Sequence, residues 1–348
     1  MKTILAILFS LNLLIINAQL TTNNSLSPNF LAQSILSGYG VNVSNVSYTG
    51  NVSSMGLFNG ANTVLEIQYG LIMTTGTAGY SENGPHGPND QSNAGVDNGA
   101  LGNALLTQLA GVETYNASLL EFDLVANSDT LKLDYIFGSD EYPEFVGTSF
   151  NGVFGIFISG PGIVGGIQNI ATVPNTSQPI NINTINQLTN PIFYNNNGNG
   201  TEAPFNQDDQ FIQYDGFTTK LTAYSQIIPG ETYHLIIGIA DVGDGIYDTG
   251  VFIEASSLST RLTESQKIKH VNLYPNPNKG VFSIEKPSEN DVENLKVISS
   301  LGREVSFKIE KNNDSQIRIK LEKANPGVYW INFNSKNGDF YSSKFVVE

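Results

Sequence analysis

The stretch TYHLIIGIADVGDGIYDTGVFIEASSL, residues 232–258, contains two apolar runs that are separated by a turn with three aspartates. In the first run, apolar residues alternate from Tyr233 to Ile239, and alternate residues lie on one face of a β-strand. The second run, residues 249–258, is rich in β-branched and aromatic residues. Gly243 and Gly245 permit a tight turn between the two runs. The stretch therefore predicts two strands, with Asp241 just past the end of the first.

Similar short apolar runs recur earlier in the chain, for example TLKLDYIFG (130–138) and GVFGIFISG (152–160). Runs of this length that are bounded by Gly, Pro, Asn or Asp are typical of strands. Two windows, residues 26–40 and 97–111, have helical features instead, with a proline near the start of one and a glycine at the end of the other. We therefore predict an all-β fold, a large jelly-roll-like β-sandwich with one or two short helices.

The charge of the chain divides it into two parts. Residues 20–260 contain two basic and twenty-one acidic residues, whereas residues 261–348 contain fourteen basic and eleven acidic residues. A polar stretch without apolar periodicity lies at this change, which is typical of a linker. We expect a first domain at residues 19–258, a linker at 259–270, and a small immunoglobulin-like β-sandwich at 271–348.

The first eighteen residues have the features of a signal peptide. Lys2 precedes an apolar run from Ile4 to Ile16, which is shorter than the ~20 residues that a membrane-spanning helix needs, and a small residue, Ala18, follows. The chain has no cysteine, which excludes disulfides and thiolate metal sites. Its net charge of -15 argues against nucleic acid as a partner and suits the binding of cations.

Several kinds of enzyme are excluded by missing motifs. The three histidines are far apart, and no HExxH, G-x-S-x-G, Walker or GxGxxG motif occurs. A glycosidase needs only two suitably spaced carboxylates, so a carboxylate-dependent polysaccharide hydrolase stays an alternative. One observation argues against the hydrolase: no arginine precedes Arg261, so the first domain has no guanidinium group that could shift the pKa of one carboxyl group of such a pair.

Two acidic stretches suggest a calcium site. Carboxylates, amide oxygens and backbone carbonyls are the ligands that Ca²⁺ prefers, and loops rich in Asp and Gly supply them at close range. The spacing is not that of an EF-hand. We expect five metal ligands, and the alternatives are Asx turns and ordinary solvated charges. These candidates are Asp140, Glu141, Asp241, Asp244 and Asp248.

Further sequence features resemble the choice-of-anchor domain family, type L. The resemblance is carried by FGSDEYPEFVGTSFNGVFGIFISGPG (137–162), YDGFTTKLTA (214–223) and PGETYHLIIGIADVGDGIYDTGVFIEASSL (229–258). Shorter matches are YGLIMTTGTAG (69–79) and TYNASLLEFDL (114–124). The resemblance implies an exported surface protein and does not imply a particular reaction.

The end of the chain resembles the C-terminal sorting domain of the type IX (Por) secretion system. The motifs are LYPNPNKGVFSIE (273–285), VISSLGREV (297–305), NPGVYWINF (325–333) and the final KFVVE. The resemblance implies recognition of residues 271–348 by the secretion machinery and its sorting peptidase. It also implies release of the protein or its attachment to surface lipopolysaccharide.

Together these features predict a protein that passes through the periplasm and is secreted or placed on the outer cell surface. We expect a calcium-stabilised adhesion or binding module without enzymatic activity, with an extracellular ligand that the sequence does not name. Four aromatic residues beside the acidic loops are candidates for its contact surface, and we expect at least half of them to lie in the core instead; they are Tyr142, Phe145, Tyr214 and Phe217. The alternatives are the polysaccharide hydrolase and a structural surface-layer component.

Overall fold

The computed structural model describes residues 20–79, 84–87, 89, 94–198, 212–260, 269–286, 292–299, 305–313, 315–335 and 340–348. The predicted signal peptide lies outside the described residues, and so do residues 261–268 of the predicted linker. The described chain forms antiparallel sheets with short helices, which confirms the all-β prediction. None of its helices has the length and apolar character needed to cross a membrane.

The first domain contains thirteen strands in its described part. They are β1 (Thr21–Asn23), β2 (Val41–Thr49), β3 (Met55–Asn59), β4 (Tyr69–Thr74), β5 (Thr114–Ala126), β6 (Thr130–Ser139), β7 (Asn151–Ser159), β8 (Ile167–Asn169), β9 (Tyr194–Asn196), β10 (Gly216–Thr218), β11 (Leu221–Gln226), β12 (Thr232–Val242) and β13 (Thr249–Glu254). Its helices are α1 (Pro28–Phe30), which continues as a π-helical segment (Leu31–Leu36), and α2 (Ala104–Ala110); short 3₁₀ turns occur at Val52–Ser54 and Pro191–Phe193.

Two sheets pack against each other in this domain. One sheet has eight strands. Seven of them follow the order β1-β3-β4-β13-β6-β10-β9. The eighth, β11, pairs with the start of β6, whereas β10 pairs with its end. The other has five strands in the order β2-β5-β12-β7-β8. The stretch 232–258 supplies β12 to one sheet and β13 to the other, so its acidic turn connects the two layers of the sandwich.

Strand β6 shows how the hydrophobic core is arranged. All ten of its residues are buried, because both of its faces are covered. Tyr135 and Phe137 belong to the core between the two sheets. Ile136 points to the opposite face and packs in a second cluster with Phe58 and Phe252. Burial on both faces explains why this strand reads as a nearly continuous apolar run.

The helical windows predicted from the sequence are confirmed. The Ser27 hydroxyl accepts from the backbone N–H of Phe30 at 3.2 Å, and Pro28 begins α1, where its missing N–H costs nothing. Helix α2 is capped by Asn103, whose side chain accepts from the N–H of Leu105, and it ends at Gly111 with φ of 74°. The helix covers the outer face of the five-stranded sheet.

The paired part of the first domain runs to Thr260. Ser259 exchanges two backbone hydrogen bonds with Lys132, and the Thr260 N–H donates to the Tyr39 carbonyl at 3.1 Å. The first two residues of the predicted linker 259–270 are therefore held in the sandwich. The remainder of that prediction falls mostly outside the described residues.

The second domain has its own sheets and core. Its strands are β14 (Leu273–Tyr274), β15 (Val281–Glu285), β16 (Val292–Ser299), β17 (Phe307–Asn312), β18 (Gln316–Leu321), β19 (Gly327–Ser335) and β20 (Phe340–Val347). They form a four-stranded sheet, β14-β15-β18-β17, and a three-stranded sheet, β16-β19-β20. Phe282, Ile331 and Phe345 are buried in the core between them. The predicted small β-sandwich is therefore present.

Two paired glycines make a slot for Tyr214. Gly138 of β6 lies opposite Gly250 of β13, and a Cβ atom on Gly250 would lie 2.1 Å from the Tyr214 hydroxyl oxygen. A Cβ atom on Gly138 would lie 3.0 Å from the Tyr214 ring. The hydroxyl of this buried tyrosine donates to Thr74 Oγ1 at 3.1 Å. Because Gly138 and Gly250 have no side chains, the Tyr214 ring fits between them, and this contact fixes the position of the chain around residue 214.

We predict that Gly250→Ala destabilises the first domain by about 1–3 kcal/mol, because the added methyl group overlaps the Tyr214 ring. Chemical denaturation of the full chain measures the change. Tyr214→Phe should cost about 1 kcal/mol through the lost hydrogen bond. The double variant should cost less than the two single changes together, because removal of the hydroxyl relieves part of the overlap. Additive costs, or no cost for Gly250→Ala, would contradict the described packing.

Candidate metal centre

Strand pairing brings three aspartates to one end of β6. Asp140 directly follows β6, whereas Asp248 directly precedes β13 and Asp215 directly precedes β10. Ser139, the last residue of β6, pairs with the first residue of β13 on one side and with the first residue of β10 on the other. Because these pairs are antiparallel, Asp248 and Asp215 flank Asp140 from both sides.

Two more acidic residues lie where this end of β6 contacts the second sheet. Glu141 Oε2 accepts hydrogen bonds from the N–H of Gly152, in β7, and from the Ser139 hydroxyl at 3.1 Å. Gly152 pairs with Asp241 of β12, so Glu141 lies next to Asp241. We call the five residues Asp140, Glu141, Asp215, Asp241 and Asp248 the buried acidic cluster.

Asp241 does not lie past the end of its strand, as the sequence pattern predicted. Strand β12 continues to Val242, and a shift in its pairing with β5 occurs between Ile239 and Asp241. Such irregularities re-aim side chains at the ends of sheets. The carboxylate is therefore held by a paired backbone rather than by a loop.

The cluster is almost completely removed from solvent. No member is more than 3% exposed. Burial, reinforced by neighbouring carboxylates, raises the pKa of Asp140, Glu141 and Asp248 well above the usual values. Burial also raises the pKa of Asp215 and of Asp241 to about 8. Each pKa is raised because a low-dielectric environment disfavours the charged form.

No basic side chain of the first domain neutralises these carboxylates. The segment 20–260 has two basic residues, and both pair elsewhere, Lys132 with Asp134 at 3.0 Å and Lys220 with Glu254 at 3.4 Å. Burial lowers the pKa of His86 to about 4, so this histidine is neutral at pH 7. The negative charge of the ionised cluster is therefore uncompensated by protein cations.

Each carboxylate is held in position by donors on one side. The Asn116 amide donates to Asp241 Oδ2 at 3.1 Å, the Asn89 amide donates to Asp215 Oδ1 at 2.7 Å, and the Val96 N–H donates to Asp248 Oδ1 at 3.0 Å. The Asp140 carboxylate is placed by the pairing of Ser139 with Gly216 and Thr249. These bonds fix the carboxylates without satisfying all of their oxygens.

Four buried oxygen atoms of the site have no hydrogen-bond partner. They are Asp140 Oδ1, Asp215 Oδ2, Asp241 Oδ1 and Asn116 Oδ1. A proton on one of these carboxylate oxygens would neutralise its charge and could be shared with a neighbouring unsatisfied oxygen, as between Asp215 Oδ2 and Asp140 Oδ1. A bound cation would neutralise the charge and would also occupy the unsatisfied oxygens. Carboxylate and amide oxygens are ligands that suit Ca²⁺.

Four of the five metal ligands predicted from the sequence lie in the cluster, and Asp244 does not. Asp244 is partly exposed at its rim, where its carboxylate accepts from the Ile246 N–H at 3.3 Å in an Asx turn. Within the described residues, no three His, Asp or Glu side chains form a group that could hold a single metal ion. The carboxylates are therefore distributed rather than gathered around one point.

Sequence reasoning missed Asp215, which is fully buried in the cluster. A sequence signal for Asp215 does exist. The motif YDGF (214–217) resembles YDTG (247–250), which contains Asp248, and in both motifs Tyr-Asp directly precedes a glycine-containing strand. The position of Asp215 is set by Tyr214 in its glycine slot. It is also set by Gly216, where a Cβ atom would lie 2.8 Å from the Tyr142 ring.

Three of the four predicted surface aromatics are core residues. Tyr142, Tyr214 and Phe217 are no more than 5% exposed, because they fill the space between and behind the strands. Phe145 is only partly buried. Its ring contacts Tyr247 and Phe150, with centroid distances of 5.0 and 6.0 Å. We call Phe145, Phe150 and Tyr247 the aromatic rim.

Two family models match the chain. The model described as the choice-of-anchor L domain matches residues 19–259, and the model described as the secretion system C-terminal sorting domain matches residues 272–348. Both resemblances stated from the sequence motifs are therefore confirmed. No curated protein matches the chain significantly.

We predict that the chelated protein gains stability as the pH falls. The pKa of Asp215 and of Asp241 is about 8 in the folded protein and ordinary in the unfolded chain. The folded state therefore binds more protons between about pH 4 and 8, and its stability increases as the pH falls through this window. Calorimetry of residues 19–348 in excess chelator should show the first-domain transition at higher temperature at pH 6 than at pH 8.5. A transition that rises with pH would contradict the raised pKa values.

Proposed function

We propose that this chain, which belongs to the choice-of-anchor L domain family, is a calcium-stabilised binding module that acts outside the cell without catalysing a reaction. The C-terminal sorting domain indicates export by the type IX secretion system, and the protein is secreted or located at the cell surface. Cleavage by the sorting peptidase and attachment to lipopolysaccharide are part of the proposal. They follow from the role of such sorting domains.

The observation that carries the calcium proposal is the set of unpartnered oxygens in the buried acidic cluster. Ionised carboxylates that are removed from water and lack a countercharge oppose folding. Ca²⁺ accepts carboxylate, amide and carbonyl oxygens in variable geometry, whereas Mg²⁺ requires a nearly ideal octahedron. Zinc sites are built mainly from Cys and His, and no such group accompanies these acids in the described chain.

The burial of the same carboxylates argues against a polysaccharide hydrolase. An acid/base pair must contact the glycosidic bond of its substrate. No member of the cluster is more than 3% exposed, so a polysaccharide chain has no access to it in this conformation. Neither matching family is a catalytic one. A surface-layer component, the other alternative, would self-associate rather than bind a foreign ligand.

The aromatic rim supports a role in binding. Phe150 is 38% exposed, and Ile246, which precedes Tyr247 in the chain, is 57% exposed. Tyr247 lies in the turn between β12 and β13, directly beside Asp248 of the cluster. Exposed aromatic residues on loops that a rigid sandwich holds in place are typical of recognition surfaces. A cation in the cluster would fix this turn and, with it, the rim.

We predict opposite effects of Asp241→Asn with and without calcium. In chelator at pH 8.5 the variant should be more stable than the wild type, because it replaces a buried carboxylate by a neutral amide. In excess calcium it should be less stable, because it loses a metal ligand. For the wild type, calcium at 100 times its dissociation constant should add about 2.7 kcal/mol of stability. Calorimetry of the first-domain transition measures both effects.

The chain provides two controls for this experiment. Asp129→Asn changes an exposed aspartate away from the cluster and should leave the calcium effect unchanged. The second domain has its own core, so its calorimetric transition should be independent of calcium. Identical wild-type melts in calcium and chelator would refute the metal site. Loss of polysaccharide hydrolysis in a folded Asp241→Asn variant would favour the hydrolase instead.

We predict that the aromatic rim contributes to binding of cell-surface polysaccharide. Phe150→Ala combined with Tyr247→Ala should reduce retention on a panel of insoluble polysaccharides at least tenfold, because two stacking surfaces are lost. Tyr224→Ala is the matched control, since Tyr224 is 61% exposed on β11. Equal losses for control and rim variants, or no retention of the wild type, would contradict polysaccharide binding at the rim.

A further inference from the structure

We infer that the buried acidic cluster holds two cations rather than one. This inference rests on the proposed calcium function and specifies its stoichiometry. It follows from the grouping of the unsatisfied oxygens, from the number of buried charges and from the absence of a three-carboxylate group among the described residues.

The first pair of unsatisfied oxygens belongs to Asp140 and Asp215. Asp140 follows Ser139 and Asp215 precedes Gly216, and Ser139 pairs with Gly216, so Asp140 and Asp215 are adjacent. Asn89 holds Oδ1 of Asp215, which leaves Oδ2 of Asp215 and Oδ1 of Asp140 without partners. Both side chains are at least nine-tenths buried. We call this pair the Asp140 pole.

The second pair belongs to Asp241 and Asn116. The Asn116 amide nitrogen donates to Oδ2 of Asp241 and to the Gly245 carbonyl, at 3.1 and 3.3 Å. These bonds leave Oδ1 of Asp241 and Oδ1 of Asn116 without partners. Both side chains are at most 1% exposed. We call this pair the Asp241 pole, and the carbonyl of Gly245 lies beside it as a further oxygen ligand.

Asp248 lies between the two poles. Its backbone carbonyl accepts from the Asp140 N–H at 3.0 Å, and its carboxylate interacts electrostatically with both Asp140 and Asp241. The carboxylate fits closely against Gly76, where a Cβ atom would lie 1.8 Å from Oδ2. This contact holds Asp248 in place. Asp248 is therefore placed to serve a cation at either pole.

The charge of the cluster also favours more than one divalent ion. Five ionised carboxylates carry a charge of about -5, and one Ca²⁺ would leave about -3 in a region that solvent does not reach. Two Ca²⁺ ions would leave about -1, which the N–H donors at Val96 and Gly152 can stabilise. A single central ion would need several carboxylates to converge, and they do not.

Each pole has one more acidic residue closer to solvent. Asp244 is partly exposed and acts electrostatically on Asp241, whereas Glu144 is exposed and acts on Asp215. Such residues can attract an ion from solvent before it enters the buried pole. The duplicated arrangement of a buried pair with a rim acid fits two separate ions.

The test is the calcium stoichiometry of residues 19–348. After removal of metal by chelator, equilibrium dialysis against Ca²⁺ with elemental analysis should give two ions per chain. Asp215→Asn and Asp241→Asn should each retain one ion, and the exposed-site control Asp129→Asn should retain two. One ion in the wild type would overturn the two-ion inference and leave the proposed function intact. No bound ion would overturn both.

Rim variants keep the inference testable if a buried substitution prevents folding. Asp244→Asn and Glu144→Gln change solvent-accessible side chains. Each should preserve two ions and should weaken one of two resolved binding steps at least threefold, as measured by calorimetric titration with Ca²⁺. Weakening of the same single step by both variants would show that they serve one ion, and would contradict the two poles.

Discussion

The five carboxylates of the buried acidic cluster lie where the end of β6 reaches the second sheet, and none of them has a basic partner. Their buried negative charge is the constraint on which the rest of the first domain depends. Buried carboxylates normally oppose folding. Here they are held by backbone pairing on both sides of Ser139 and by directed N–H donors. The fold therefore maintains an electrostatically unfavourable arrangement, which is typical of a binding site rather than of a structural core.

The surrounding packing is arranged to maintain that site. Paired glycines admit the Tyr214 ring, and Gly216 lies under the rings of Tyr142 and Tyr194. These contacts bring Asp215 into the cluster, although Asp215 is far from β6 along the chain. The aromatic side chains near the acids therefore serve mainly to position carboxylates. The aromatic rim, built around Phe145, is the part that stays accessible.

Export and ion binding fit together in the proposed function. The chain has no cysteine, so no disulfide can stabilise the domain outside the cell. A large core between two sheets supplies most of its stability, and the proposed ions would add to it by binding the folded state alone. The sorting domain has a separate core, so its proposed removal after export would leave the core of the first domain intact.

The sequence alone determined the fold class, the two short helices and the two family relationships, because strand periodicity, caps and motifs are local properties of the chain. It also located Asp140, Glu141, Asp241 and Asp248 at the ends of apolar runs. Only the tertiary structure decided that Asp215 joins them and that Asp244 stays at the rim. It also decided that the unsatisfied oxygens form two pairs. Strand pairing between segments far apart in the chain sets these neighbours; a local motif such as YDGF marks the start of a strand but does not specify its partner strand.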